Sequence, residues 1–154
     1  MSLWTPEFGV LRPRHGPALA RHLLALDADD RCARFGLALS DAALSAWVAG
    51  IRLDGQHWIG AWEGPCLRAT LQLAPTSRAS DWELALTVER PLRRQGLATA
   101  LLAQALGDPA LTECRGFLCH HGHAALRGMA RRLGLALRAQ TEPPRLRLEI
   151  ARPG

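Results

Sequence analysis

The chain has 154 residues with 19 basic and 14 acidic side chains, a formal charge of +5. Every base is Arg. The sequence has neither Lys nor Tyr, which excludes a lysine Schiff base and acid catalysis by a phenol. Hydrophobic residues make up 48%, enough for the core of one compact domain, expected over 1–154, and too many for a disordered chain.

In chain order, Phe8 to Arg12 predicts a short strand ended by Pro13. Leu19, Leu23, Leu24 and Leu26 recur at helical spacing and predict a helix over Ala18 to Leu26. A second helix is expected after Ser40 as N-cap, with Leu44, Trp47 and Val48 on its apolar side and Gly50 at its end. Gln56 to Trp62, Leu67 to Leu73 and Trp82 to Val88 are short apolar runs separated by Gly64-Pro65 and Pro75-Thr76-Ser77, the pattern of three consecutive antiparallel strands. A helix follows over Gly96 to Leu106, stopped by Gly107-Asp108-Pro109. Then come a strand over Gly116 to His120, a helix over Ala124 to Leu133 closed by Gly134, a loop at Pro143-Pro144 and a last strand over Arg145 to Ile150. This order predicts a mixed α/β domain with an antiparallel front and a βαβ-like centre.

The residues 1–10 lack the basic head and apolar block of a secretory signal, and no apolar run is long enough to span a bilayer. The four cysteines, Cys32, Cys66, Cys114 and Cys119, form no C-x-x-C pair and read as reduced thiols of a cytoplasmic protein. The cluster Cys119-His120-His121-Gly122-His123 matches no standard zinc spacing, so no metal is expected. Basic residues are spread along the chain without a nucleic-acid module, so neither nucleic acid nor membrane is an expected partner.

The stretch Glu83 to Leu102 carries the chemistry: a strand, an Arg-rich turn, then a helix opening at a glycine. The first amides of a helix have no intrahelical acceptor, and the helix dipole makes that end positive. Gly96 and the small Ala98 let an anion approach the backbone, and Arg93 and Arg94 add cationic charge suited to phosphate oxygens. A solvated basic turn before a core helix is the competing reading.

Arg93, Arg94, Gln95, Gly96, Leu97 and Ala98, preceded by a strand ending in Val88 and followed by Leu101-Leu102, resemble the acyl-CoA signature of the GNAT family of N-acetyltransferases. Arg131 to Leu135 resembles that family's later Leu-Gly signature, and the order of elements is similar over nearly the whole chain. The resemblance implies a mainly antiparallel, mixed central sheet flanked by helices, with splayed central strands. It implies acetyl-CoA bound along Leu86, Thr87 and Val88, with its pyrophosphate on the turn from Arg94 to Thr99. It implies direct attack by an amine acceptor, assisted by positioning, an oxyanion donor and proton transfer. The resemblance sets Arg34 and Phe35 near the acceptor cleft, with Phe35 and Trp47 equally open to a core role, and a homodimer is one expected assembly, as is common in the family.

Glu83 is the candidate general base. Strand alternation sets Glu83, Ala85 and Thr87 on one face and Trp82, Leu84, Leu86 and Val88 on the other, and the small residues beside Glu83 leave room for a substrate. Binding a positively charged substrate, or satisfying a neighbouring Arg, are the alternatives for it. Counting back from Leu133-Gly134, the family's usual Asn falls at His123, a candidate cofactor contact, and its usual Tyr, the general acid, falls at Ala130. The expected function is therefore acetyl transfer to a primary amine of a small molecule, peptide or protein. The alternative is a non-catalytic acyl-CoA-binding or regulatory module that has lost its general acid.

Overall fold

A computed structural model describes residues 5–54, 56–120, 125–141 and 144–151. Strand β1 (Glu7–Val10) leads into three helices, α1 (Gly16–Leu24), α2 (Ala28–Phe35) and α3 (Asp41–Gly50). Strands β2 (His57–Glu63), β3 (Cys66–Pro75) and β4 (Asp81–Val88) follow, then α4 (Leu97–Leu106), β5 (Gly116–His120), α5 (Leu126–Leu133), β6 (Ala136–Thr141) and β7 (Pro144–Glu149). The strands form one mixed sheet in the order β1-β2-β3-β4-β5-β7-β6, antiparallel throughout except between β4 and β5. The mainly antiparallel architecture is the expected one. Among the described residues no helix is long and apolar enough to cross a membrane.

Two elements differ from the sequence expectation. Helix α2 was not foreseen because it carries three charged residues within its first four positions and no apolar stripe. Its ends were nevertheless written in the sequence. Asp27 caps it by accepting from the Asp30 amide at 2.9 Å, and Gly36 closes it in the left-handed region at φ 83°. Strand β6 was also missed. It pairs antiparallel with β7 from Ala136↔Glu149 to Thr141↔Pro144, so Pro144 opens β7 and does not belong to a loop; Pro143 lies outside the described residues.

Each face of the sheet buries its own core. On one face, Leu71, Leu73, Leu84 and Phe117 pack with Leu97, Leu101 and Leu102 of α4 and with Leu126 and Met129 of α5. On the other, Leu19 and Leu23 of α1 and Leu44 and Val48 of α3 pack on Leu11, Trp58 and Leu67. Both sets follow the helical and strand periods seen in the sequence, and burial of these side chains supplies the main folding free energy.

The central junction is short. β4 and β5 pair only from Asp81↔Gly116 to Glu83↔Leu118. Beyond that, β4 stays with β3 as far as Val88, and β5 stays with β7 as far as His120. The closed end is held by Arg147 of β7, whose guanidinium reaches the buried Asp81 carboxylate at 2.6 Å and also contacts Glu149. The guanidinium lies directly over Gly116, where a Cβ would overlap it. Removing one partner of such a pair leaves the other charge partly buried and uncompensated, which costs about 3 kcal/mol. Asp81→Ala is therefore expected to lower unfolding free energy by about that amount in urea denaturation, and Gly116→Ala to lose part of it by displacing Arg147.

Candidate active site

The open ends of β4 and β5 define the site. The Glu89 amide donates to the Arg68 carbonyl at 3.1 Å, which fixes the phase of the β3–β4 ladder. By the alternation of an antiparallel ladder, Thr87 and Ala85 spend their backbone groups on β3, whereas Leu86 and Val88 turn theirs to the edge that β5 has left. The Val88 carbonyl accepts from Arg93 Nε at 3.0 Å. Of the three β4 residues expected along a pantetheine arm, Leu86 thus presents its backbone to the gap, Val88 presents it with its carbonyl held by Arg93, and Thr87 faces Thr70.

The turn beyond β4 has the backbone form of an anion cradle. Arg94, at φ 63°, is the one non-glycine residue in the left-handed region among the described residues, and Gly96 follows at φ 79° as the N-cap of α4. No side chain caps this helix and its first turn holds no acid, so the leading amides, from Leu97 to Thr99, are not satisfied by a side chain. The Gln95 side chain turns back to the Pro91 carbonyl at 3.3 Å, and Ala98 is half-buried.

The two arginines of the turn are placed differently. Arg93 pairs with Asp30 of α2 at 2.8 Å. Arg90, from the same turn, pairs with Asp27 and lies 3.7 Å from Asp30. The acidic start of α2 therefore ties this turn to α2. Arg94 is exposed and makes no ion pair among the described residues, which leaves it as the turn's uncommitted cation.

Glu83 is the last β4 residue paired to β5, so it stands at the fork. Its carboxylate contacts His120 Nε2 at the end of β5, and both side chains are solvent-accessible. His120 was singled out in the sequence only as part of a cluster; its pairing with Glu83 depends on the β4–β5 register. His121 and His123 lie outside the described residues, so the proposed cofactor contact of His123 does too. Ala130, at the position expected for a general acid, is buried in the α4–α5 core. Cys119 is no nucleophile at neutral pH: burial, and then the Glu83 charge, push its thiol up to about 12. Among the described residues no group of three or more His, Cys, Asp or Glu is placed to hold a metal.

On the same face as Glu83, polar side chains continue under α1 and α2. His22 of α1 is fully buried, and its Nε2 bonds Thr87 Oγ1 at 2.7 Å, which in turn bonds Thr70 Oγ1 at 2.7 Å. Its Nδ1 has no hydrogen-bond partner among the described residues, and Glu89 Oε1 lies 3.9 Å away. Farther along, Arg34 of α2 donates to Gln72 Oε1, and the Gln72 amide donates to Gln56 Oε1. Arg34 lies over the ring of Phe35 at 4.7 Å and of Trp47 at 5.6 Å, so both expected cleft residues sit on the Glu83 face. Sequence reasoning missed His22 and Gln72. Their only signal was a polar residue at a core phase of an amphipathic element.

The fold was compared with known proteins. No family model matches the chain, and no curated protein matches it. Among solved structures, the GNAT domain of S. lividans PAT superposes with a TM-score of 0.74 at 17% identity, covering 96% of this chain and 90% of that one. The paia N-acetyltransferase from Thermoplasma acidophilum, in complex with coenzyme A, has a TM-score of 0.65 at 12% identity over 96% of this chain and 100% of that one. Ribosomal-protein-alanine N-acetyltransferase from Brucella melitensis has a TM-score of 0.65 at 15% identity, covering 92% and 96%. The chain has the fold of the GNAT acetyltransferases. At these identities the likeness establishes the fold, and the activity is argued below from the site.

His22 yields a pH prediction. Burial pushes its imidazole down to about 4 from an ordinary value of 6.5. The unfolded chain takes up this proton near pH 6.5 and the folded chain only near 4, so the associated stability is complete above 6.5 and is lost as pH falls through that window. The loss amounts to about 3 kcal/mol by linkage. Urea denaturation between pH 7 and 4 should show this decline, and His22→Gln, which keeps a donor for Thr87, should flatten it.

Proposed function

We propose that the protein is an acyl-CoA-dependent N-acyltransferase that moves an acetyl group from acetyl-CoA directly to a primary amine. The observation that carries this reading is the parting of β4 from β5 at Glu83, with an uncapped, left-handed turn at the far end of the opened strand. The edge of β4 offers backbone donors and acceptors to an extended arm, as an added strand would use them. The amides opening α4, with Arg94 beside them, suit a pyrophosphate. When bound, acetyl-CoA supplies a thioester whose C–S bond breaks as the acceptor's N–C bond forms.

The chain's own residues have defined tasks in this reading. The Glu83 carboxylate takes the proton that an ammonium acceptor must lose, and His120 shares that proton and passes it to solvent. The small side chains of Ala85 and of Ala74, the cross-strand partner of Glu83, leave space above the fork for the acceptor. The Arg93 contact with Val88 and Asp30 keeps the turn in register with the strand. The thiol released at the end takes its proton from water, since the chain has no Tyr and Ala130 is buried. That missing acid is also what favours the second reading, a CoA-binding module without turnover.

Two measurements test the proposal. Glu83→Gln should lower kcat/KM for amine acetylation about 100-fold, followed as thiol release, with the KM for acetyl-CoA unchanged. The deficit should narrow as pH rises toward the acceptor's own pKa, where the base is no longer needed. Arg94→Ala should weaken CoA binding about 5- to 10-fold by calorimetry, because it removes an exposed charge from a phosphate. Unchanged affinity would sink the cradle assignment, and tight CoA binding without transfer to any amine would establish the binding module.

A further inference from the structure

The Glu83 face of the sheet carries an excess of unneutralised positive charge. Arg31, Arg68, Arg90, Arg93 and Arg147 each pair with a carboxylate. Arg34 and Arg145 do not, among the described residues. Arg34 is half-buried, and desolvating a guanidinium without a counter-ion is costly enough to hold its pKa down to about 10. Glu83 is the carboxylate that influences it most, yet it lies beyond ion-pairing distance and is engaged by His120.

Arg34 is also held in place. Trp58 Nε1 donates to Gln56 Oε1 at 3.2 Å, Gln72 donates to the same oxygen, and this leaves Gln72 Oε1 to accept from Arg34 Nη2. The relay orients the guanidinium with neutral acceptors alone and uses one of its nitrogens. Phe35 and Trp47 wall one side of the group. Among the described residues the remaining N–H donors have no hydrogen-bond partner, and they are not sealed from solvent. A fixed, aromatic-backed guanidinium with spare donors and no counter-ion fits a carboxylate supplied from outside.

Position decides which molecule would bring it. Gln72 lies directly across from Ala85, and Ala85 is two residues beyond Glu83 on the same face. At a rise of about 3.3 Å per residue, the two positions are about 7 Å apart. The Glu83 carboxylate and the Arg34 guanidinium thus flank one stretch of the same sheet face, a backbone spacing of the order a short amino-carboxylate bridges. On the other side of Glu83, Arg145 of β7 stands opposite His120, and its Nε is buried without a partner among the described residues. It lies two strands from β4, roughly 10 Å away, too far to share one small anion with Arg34. Its charge adds to the field that repels a purely cationic acceptor.

We infer that the amine acceptor carries a carboxylate, as a free α-amino acid or short amino-carboxylate does, and that Arg34 binds this carboxylate while Glu83 receives the amine. This rests on the acyl-transfer reading for the chemistry, but the carboxylate site can be measured without it. The experiment has two arms. Calorimetry titrates the protein with amino acids and with their decarboxylated amines, for example phenylalanine against 2-phenylethylamine and leucine against 3-methylbutylamine. Acetyl transfer is then followed for the same pairs, with O-phosphoethanolamine and 1,4-diaminobutane added.

The expected result is a 10- to 100-fold preference for the carboxylate-bearing member of a pair, in binding and in kcat/KM. Arg34→Met should abolish that preference, Arg34→Lys should retain part of it, and CoA affinity should be unchanged in both. Equal use of amino acid and matched amine by the wild-type protein overturns the inference, as does a better response to O-phosphoethanolamine or 1,4-diaminobutane. So does a preference that survives in Arg34→Met. If Arg34→Met does not fold, the wild-type comparison of matched pairs still decides. Arg34-dependent carboxylate binding without transfer to any amine would count against the acyl-transfer reading and leave the carboxylate site standing.

Discussion

Three residue pairs join the two halves of the sheet, and the site depends on how short that ladder is. β4 follows β3 from Trp82 to Val88, and β5 follows β7 along its whole length, so each strand is committed to its outer neighbour. The twist of the two halves then separates β4 from β5 past Glu83 and Leu118. A parallel pair this short needs reinforcement at its closed end. The Asp81–Arg147–Glu149 cluster provides it, clasped over a glycine that leaves room for the guanidinium. One end of the junction is thus locked by charge while the other is left open with unpaired backbone. The carboxylate candidate for proton transfer is the residue at the boundary between them.

The two faces of the sheet are built on different principles. The face under α4 and α5 is an apolar core built largely of leucine, with Ile, Ala, Cys, Phe and Met between. The face under α1 and α2 buries His22, Thr70, Thr87 and Gln72 and half-buries Arg34. Polar groups in such a place destabilise a fold unless they are satisfied, and most of these are, through the His22–Thr87–Thr70 chain and the Arg34–Gln72–Gln56 chain. The exceptions are the Nδ1 of His22 and the net charge of Arg34. Helix α2 connects this face to the turn before α4, since Asp27 and Asp30 at its start hold Arg90 and Arg93 while Arg34 near its end reaches the sheet.

Much of this was legible along the chain. The leucine spacing, the alternation of the strands, Ser40 as a cap and the Arg93–Ala98 turn each rest on contacts between residues a few positions apart, and such contacts leave a local pattern. Helix α2 escaped because its stability comes from caps and ion pairs in place of an apolar stripe. β6 escaped because its partner is β7 and its own sequence mixes Arg and Gln with Ala and Leu.

The sequence by itself determined the helices and strands of the two cores, the cradle's glycine and the absence of any phenol or lysine amine. It also set Glu83 and Thr87 on one face of a strand, since side chains alternate whatever the surroundings. Tertiary structure alone decided what those side chains meet. Glu83 finds His120 across 37 residues and Arg34 is half-buried without pairing with a carboxylate among the described residues, while Arg93 is drawn to Asp30 and Arg94 has no ion pair among those residues. Charge pairing and desolvation depend on distances through space that strand register and helix docking fix, and no local pattern of residues encodes those distances.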